Sequence, residues 1–282
     1  MTQSITPELR QWITEQARAD ADPERVLHSL VSTGWQQEVV LAEMRRIWRD
    51  FHEERTLDGQ FPKAKVPDPL PEGGIPSTLW AGDREVRVLG ALRRPRVVLF
   101  GDLLAPEECE ELIELARPRL QRSTAVQVDT GGSAVHDART SDGMFFKRGE
   151  NSLCQRIETR LSALLGWPVE NGEGLQILHY GPGAEYKPHY DYFDPREKGT
   201  PKILQRGGQR VATIVMYLND PKMGGGTTFP NVNFEVAPVR GNAVFFNYER
   251  PHESSLTLHG GAPVVEGEKW IATKWMRERE FV

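Results

Sequence analysis

From Gly174 onward the chain is cut by glycine and proline into short runs of strand-forming residues, at 175–180, 186–192, 210–218, 233–237, 242–247 and 269–276. No helical period separates these runs. A succession of short strands without helices between them points to a sandwich or a jelly roll. Upstream, Val86 to Leu92 and Arg96 to Phe100 also read as strands. A helix is expected from Ala105 to Ala116, with Leu112, Ile113 and Leu115 on its buried side, and another from Asn151 to Leu165. The segment 120–150 is polar, with Gly131-Gly132 near its middle, and is expected to be a long mobile loop.

The first 55 residues have a different character. Thr6-Pro7 and Asp22-Pro23 are helix starts, with a capping side chain followed by proline at the first helical position. Leu9, Trp12, Ile13 and Ala17 share one face of the first helix, and Val26, Leu27, Leu30 and Val31 share one face of the second, which Gly34 ends. A third helix is expected from Gln36 to Phe51. This pattern is a small helical bundle, loosely similar to ubiquitin-associated modules. The alternative is a helical cap on the rest of the chain. Between 56 and 82, Pro62, Pro67, Pro69, Pro71 and Pro76 with Gly73-Gly74 read as an extended linker. The expected organisation is therefore a helical module at 1–55, a linker at 56–82 and a β-rich domain at 83–282.

Composition narrows the function classes. The net charge of −5 gives no general basic field for nucleic acid. No stretch of about 18 apolar residues offers a membrane span, and the N-terminus carries no apolar run of signal-peptide length. Cys109 and Cys154 are the only cysteines, which fits reduced thiols better than a disulfide scaffold. The expected location is cytoplasmic, and no partner for residues 1–55 can be named.

His189-Tyr190-Asp191 is the first chemical signal. In a strand, residues i and i+2 project from one face, so the two side chains can meet one cation. A carboxylate and two histidines make a facial triad with open positions, suited to Fe(II) oxygen chemistry. His-x-Asp alone is weak; the alternative is two polar residues on a solvated loop. Downstream, His259 is the best third ligand. Lys269 follows ten residues later, inside an apolar strand, and a buried lysine needs an anionic partner. His252, His179 and His136 are poorer candidates: the first sits in a polar loop, the second on the strand face opposite Tyr180, the third in the polar segment.

Four segments carry a family resemblance: RTSDGMFFKRG at 139–149, ENGEGLQILHYGPGAEYKPHYDYF at 170–193, GGQRVATIVMYLNDPKMGGGTTFP at 207–230 and LHGGAPVVEGEKWIATKWM at 258–276. In this order and spacing they resemble the prolyl 4-hydroxylases of the collagen type, which are Fe(II)- and 2-oxoglutarate-dependent dioxygenases. The resemblance spans roughly 95–278. It implies a double-stranded β-helix, a mainly β jelly roll with flanking helices. His189, Asp191 and His259 would hold Fe(II), though another divalent cation could occupy the same triad.

Lys269 would pair with the far carboxylate of 2-oxoglutarate, with Tyr180 and Thr227 hydrogen-bonding the same cosubstrate and Trp275 lining the site. Thr227 against Thr228 is uncertain by one residue. Tyr186, Glu173, Arg139, Ser141 and Arg210 match positions that hold a peptide. Arg210 could instead serve only as a salt-bridge partner, and Glu173 only as a turn cap. Ascorbate is implied as an auxiliary reductant. The implied reaction is C4 hydroxylation of a prolyl residue with O2, releasing succinate and CO2. A free amino acid or another side chain is a rival substrate, and a non-catalytic binding protein is a rival class.

Overall fold

The computed structural model describes residues 3–126, 133–135 and 139–282. The chain divides into two compact units, Met1–Lys63 and Ala64–Val282. The first holds α1 (Pro7–Arg18), α2 (Pro23–Ser32) and α3 (Gln37–Gln60). Thr6 accepts a hydrogen bond from the amide of Leu9, and Asp22 accepts one from Glu24, so both expected caps form. Ile13, Ala17, Val26, Leu30, Val40, Met44 and Ile47 make the core of this unit. Helix α3 runs nine residues past the expected end at Phe51. Nothing between Phe51 and Gln60 breaks a helix except Gly59, and the first proline is Pro62.

The segment expected as a linker therefore begins as helix, and its second half belongs to the second unit. The amide of Ala64 donates to the Glu249 carbonyl at 2.7 Å, and Asn247 Nδ2 donates to the Pro67 carbonyl at 2.7 Å. Leu70 enters the main core. Proline-rich composition signals extended backbone, but an extended segment can still lie pinned on a surface.

The second unit is built on strands β1 (Thr78–Trp80), β2 (Glu85–Leu92), β3 (Val97–Gly101), β4 (Gln121–Arg122), β5 (Thr124–Val126), β6 (Ser133–Val135), β7 (Asp142–Phe146), β8 (Leu175–Tyr180) and β9 (Tyr186–His189). These continue with β10 (Arg210–Tyr217), β11 (Met223–Gly224), β12 (Thr227–Phe229), β13 (Phe234–Val236), β14 (Ala243–Asn247), β15 (His259–Gly261), β16 (Val264–Glu266) and β17 (Lys269–Arg277). Nine form a major sheet in the order β1-β2-β3-β14-β10-β17-β8-β7-β4; four form a minor sheet, β13-β12-β15-β9. All recorded pairings are antiparallel. This is the jelly roll expected from the strand pattern.

The major sheet is covered on both faces, which explains its nearly unbroken apolar runs. Ile177, Ile214, Met216, Phe245 and Trp270 face a core shared with α4 (Pro106–Ala116) and α5 (Ser152–Leu165), to which Leu112, Ile157 and Leu161 contribute. Leu178, Val215, Tyr217, Val244, Phe246 and Ile271 face the other way, toward Phe229 and Val236 of the minor sheet. Residues mostly alternate between the two; at the register shift near the start of β10, Val211 and Ala212 both join the helix-side core. On the helix side, Arg160 of α5 bridges Glu108 of α4 and Asp83 at 2.6–2.7 Å. Burial raises the Glu108 carboxyl, but its arginine partners and the Ala105 amide outweigh this and hold it at about 2.

The segment 120–150 departs most from expectation. Asp142–Phe146 is a strand of the major sheet, paired with β8 from Asp142↔His179 to Phe146↔Leu175. Arg139 bridges Tyr186, and Thr140 exchanges hydrogen bonds with Glu185. The polar composition concealed a strand whose apolar residues, Met144 and Phe146, number only two on its buried face. The expected hinge at Gly131-Gly132 and His136 lie outside the described residues.

A chain starting at Ala64 is expected to keep the unfolding midpoint of the second unit. One starting at Thr78 loses the burial of Leu70 and leaves Asn247 Nδ2 without its acceptor, and should be less stable by about 2–4 kcal/mol. Urea unfolding of the two chains checks this; equal midpoints would mean that 64–77 contributes no stability.

Candidate active site

At the metal triad the minor sheet sets the spacing. β15 pairs with β9 so that His259 lies directly opposite His189, and their ring centroids are 4.4 Å apart. β9 ends at His189, so Asp191 lies in the turn beyond it. The expected strand alternation of His189 and Asp191 is thus incorrect, yet the turn brings the carboxylate to the same point. Asp191 Oδ1 is 3.5 Å from His189 Nε2, and Oδ2 is 3.4 Å from His259 Nε2. The donor atoms of the three residues all lie within 4.8 Å of one another.

The ring orientations favour ligation. His189 Nδ1 is 2.9 Å from the Lys187 carbonyl, and His259 Nδ1 is 2.9 Å from the Thr257 carbonyl. Each Nδ1–H can donate there, which leaves both Nε2 lone pairs facing the centre. Burial, and then the neighbouring His259, depress the pKa of His189 and favour the neutral ring that a ligand must be. Burial would raise Asp191, but the two facing imidazoles reverse this and hold it well below the usual carboxylate range. Thr213 Oγ1 donates to Asp191 Oδ2 at 2.7 Å and lies 3.0 Å from the Tyr248 hydroxyl. Neither Thr213 nor Tyr248 was among the sequence-predicted residues.

A cleft opens beside the triad, lined among others by Tyr180, Thr227, Gly261, Lys269, Thr273 and Trp275. Lys269 starts β17 opposite Tyr180 of β8 and is only 2% exposed. Burial pulls its ammonium down to about 8, with Glu235 acting in the other direction. Among the described residues no carboxylate lies within salt-bridge distance of Lys269. A β-carbon on Gly225 would sit 3.1 Å from Lys269 Cδ, so glycine there leaves the side chain its place. A buried ammonium facing a cleft, a short way from an open-sided His–Asp–His set, fits a dicarboxylate that chelates the metal at its other end.

Thr227 lines the cleft and accepts from the Tyr217 hydroxyl at 2.7 Å. Thr228 instead donates to the Gly260 carbonyl, so of the two threonines it is Thr227 that lines the cleft. Tyr180 is buried against Lys269, whose Nζ is 5.4 Å from its ring centroid.

Of the expected peptide-contacting residues, Tyr186 and Arg139 line the cleft. The Tyr186 ring stacks on His189 at 3.7 Å, and the Arg139 guanidinium lies 4.8 Å from the same ring centroid. Arg139 also donates to Gln176 at 2.9 Å. Ser141 is fully buried and donates to Ser123.

Glu173 and Arg210 do not line the cleft. They form a two-pronged ion pair at 2.7 and 3.0 Å, which Arg277 joins at 2.9 Å. Arg210 stacks 4.0 Å over Trp275, so the cluster supports the cleft wall from behind. Of the poorer candidates, His179 packs on Trp270 and pairs with Glu268, away from the triad, as its strand face implied. His252 accepts from the Ser254 amide in its own loop. Gln176 and Thr273, which also line the cleft, were missed; both lie at even spacing from Tyr180 and Lys269, so counting by two along β8 and β17 would have found them.

The hydrogen bond from Thr213 holds one oxygen of Asp191. Thr213→Val is expected to weaken Mn(II) binding about 10- to 100-fold, with Thr213→Ser restoring it. Titration calorimetry of the three proteins checks this; unchanged affinity in the valine variant would show that Asp191 orients itself.

Residues 175–277 match the 2OG-Fe(II) oxygenase superfamily. Prolyl 4-hydroxylase 5 of Arabidopsis thaliana is 43% identical over 221 residues, covering 71% of this chain and 74% of the relative. Prolyl 4-hydroxylase 1 of the same plant is 42% identical over 225 residues, covering 71% and 78%. Among solved structures, a viral collagen prolyl hydroxylase from Paramecium Bursaria Chlorella virus-1, in its 2OG complex, aligns with a TM-score of 0.51 and 28% identity, over 64% of this chain and 95% of that one. The metal triad, the cosubstrate cleft and these relatives together establish that the chain belongs to the prolyl 4-hydroxylase family of 2OG-Fe(II) oxygenases, which require Fe(II) and 2-oxoglutarate.

Proposed function

We propose that the protein hydroxylates prolyl residues of a peptide or protein at C4. The observation that carries this reading is the buried Lys269 beside the His189–Asp191–His259 triad, in a chain 43% identical to a prolyl 4-hydroxylase. Fe(II) and 2-oxoglutarate, when bound, supply oxidation of an unactivated C–H bond by O2, with 2-oxoglutarate leaving as succinate and CO2 and one oxygen entering the substrate.

The chain's own residues bind and orient. His189, Asp191 and His259 would hold the metal through Nε2, a carboxylate oxygen and Nε2. Lys269 takes the distal carboxylate of the cosubstrate, assisted by Tyr180 and Thr227. Tyr186, Arg139 and Trp275 present a mostly aromatic wall to the prolyl ring, which has no charge to grip. Arg210 and Glu173 neutralise each other and support that wall; they are not free clamps for the charged ends of a free amino acid. The intact triad and Lys269 favour an enzyme over a non-catalytic binding protein. Ascorbate is proposed as the auxiliary reductant, and a cytoplasmic location is supported by the buried free thiols of Cys109 and Cys154. Residues 1–63 are proposed to be separable from catalysis.

Wild-type protein with Fe(II), 2-oxoglutarate and a proline-rich peptide should yield succinate and a peptide heavier by one oxygen, with 4-hydroxyproline on hydrolysis. Succinate without peptide oxidation, or oxidation at another residue, would sink the prolyl reading. Lys269→Ala should raise the KM for 2-oxoglutarate about 10- to 150-fold, the value of a charge-assisted contact of roughly 1.5–3 kcal/mol.

The pH dependence follows from the depressed pKa of Lys269. The ammonium is charged below about 8 and loses its proton above it, so the KM for 2-oxoglutarate should rise as pH increases through that region. Lys269→Arg, which stays charged, should bind less well but without that rise. A flat profile in the wild type would mean that the cosubstrate is anchored elsewhere.

A further inference from the structure

The proline-rich segment 64–70 has no part in the site described so far, yet it is bonded to the residues on either side of Tyr248. The amide of Ala64 donates to the Glu249 carbonyl, and Asn247 Nδ2 donates to the Pro67 carbonyl, both at 2.7 Å. Asp68 pairs with Arg96 at 2.8 Å, and the Arg96 carbonyl accepts from the Asn247 amide at 3.3 Å. Pro67, Pro69 and Leu70 are buried. An extended proline-rich chain makes no hydrogen bonds within itself, so its carbonyls can accept from a neighbour. Strand β14 ends at Asn247. Along it Val244 and Phe246 face the minor sheet, while Ala243 and Phe245 face the helices. Tyr248 continues the first series. Asn247 continues the second, on the side where Leu70 is packed. The strap therefore grips the back of the backbone from which Tyr248 projects forward.

What Tyr248 does at the front follows from hydrogen-bond polarity. A carboxylate that ligates a metal is ionised and can only accept. Thr213 has one hydroxyl proton and donates it to Asp191 Oδ2 at 2.7 Å. The Thr213 oxygen lies 3.0 Å from the Tyr248 hydroxyl and has no second proton to give, so the phenol donates. The relay has one direction, Tyr248 to Thr213 to Asp191, and each bond polarises the next. The place of the phenol is set by its backbone. The Tyr248 amide donates to the Val211 carbonyl at 3.0 Å, and both chain neighbours are tied to the strap. We propose that Asn247 is a positioning residue for the metal centre: by tying the strap to the end of β14 it fixes Tyr248 and, through Thr213, the ligand Asp191. The inference rests on the triad assignment and is independent of which residue the enzyme oxidises.

The test measures Mn(II) affinity of the full chain by titration calorimetry, without peptide, alongside the thermal midpoint. Tyr248→Phe removes the phenol donor and should weaken Mn(II) binding about 2- to 12-fold, the worth of one hydrogen bond. Asn247→Ala should weaken it by a similar or smaller factor. The double variant should bind as Tyr248→Phe does, because Asn247 acts only through the phenol. Leu70→Ala lowers the midpoint but leaves both strap hydrogen bonds, and should keep the wild-type Kd. Asn247→Asp keeps the size of the side chain and loses the donor, and gives the same reading if the alanine variant does not fold. A wild-type Kd in the Asn247 variants, additive losses in the double variant, or an equal loss in Leu70→Ala would overturn the proposal and leave the strap a purely structural role. A wild type that binds no Mn(II) would overturn the triad assignment, and this inference with it.

Discussion

A charge that cannot be neutralised from within is the constraint around which the jelly roll is arranged. Lys269 begins β17 in the interior of the fold, opposite Tyr180 of β8. Removing an ammonium from water without a partner destabilises the fold, and the depressed pKa of Lys269 expresses that cost. The adjoining triad carries the opposite problem, a buried carboxylate between two imidazole rings. A divalent cation in the triad would answer the carboxylate, and a dicarboxylate chelated to it would answer the ammonium, so both groups would stabilise the fold as well as react. Other buried charges of this unit are matched internally: Lys274 with Glu158, Arg160 with Glu108 and Asp83, and Glu173 with Arg210 and Arg277. Lys269 differs from these, and marks where function departs from packing.

The two sheets divide the work. The minor sheet carries both histidines on paired strands, and the major sheet supplies Lys269, Thr273 and Trp275 from alternate positions of β17. Because β17 is central and both its faces are covered, those three side chains have little freedom. The Glu173–Arg210 pair reinforces this by stacking on Trp275. Rigidity behind the wall suits the recognition of a substrate that offers shape and almost no charge.

Much of this was legible in the sequence. Period-two patterning with glycine and proline turns located six strands to within three residues, and the four of them in the major sheet stood out because strands buried on both faces read as apolar runs. The triad and Lys269 were found through spacing and resemblance. What failed had local causes. Asp191 reaches its partner by a turn, which no strand period describes. Helix α3 continues through His52–Gln60 because the sequence there lacks proline, though the general composition of 56–82 suggested a linker. β7 was hidden because Arg139–Asp142 looked like loop, and its pairing partner β8 lies about thirty residues away. The partnership of Glu173 with Arg277 depends on contacts across roughly a hundred positions and leaves no local trace.

The order of the major sheet has a consequence for synthesis. β3 lies between β2 and β14, so Phe100 waits for Ala243 before its outer ladder can form. Roughly 140 residues separate the two, and at translation rates of about 5–20 residues per second the interval is on the order of 7 to 30 seconds. β8 likewise waits for β17, about ninety residues further on. During that interval Val97, Val98 and Phe100, which end fully buried, can pair with β2 on one side while the edge that β14 will cover stays open. The nascent chain therefore needs shielding from its neighbours on the polysome, and a cell that produces it quickly at high temperature meets aggregation before any defect of the finished fold.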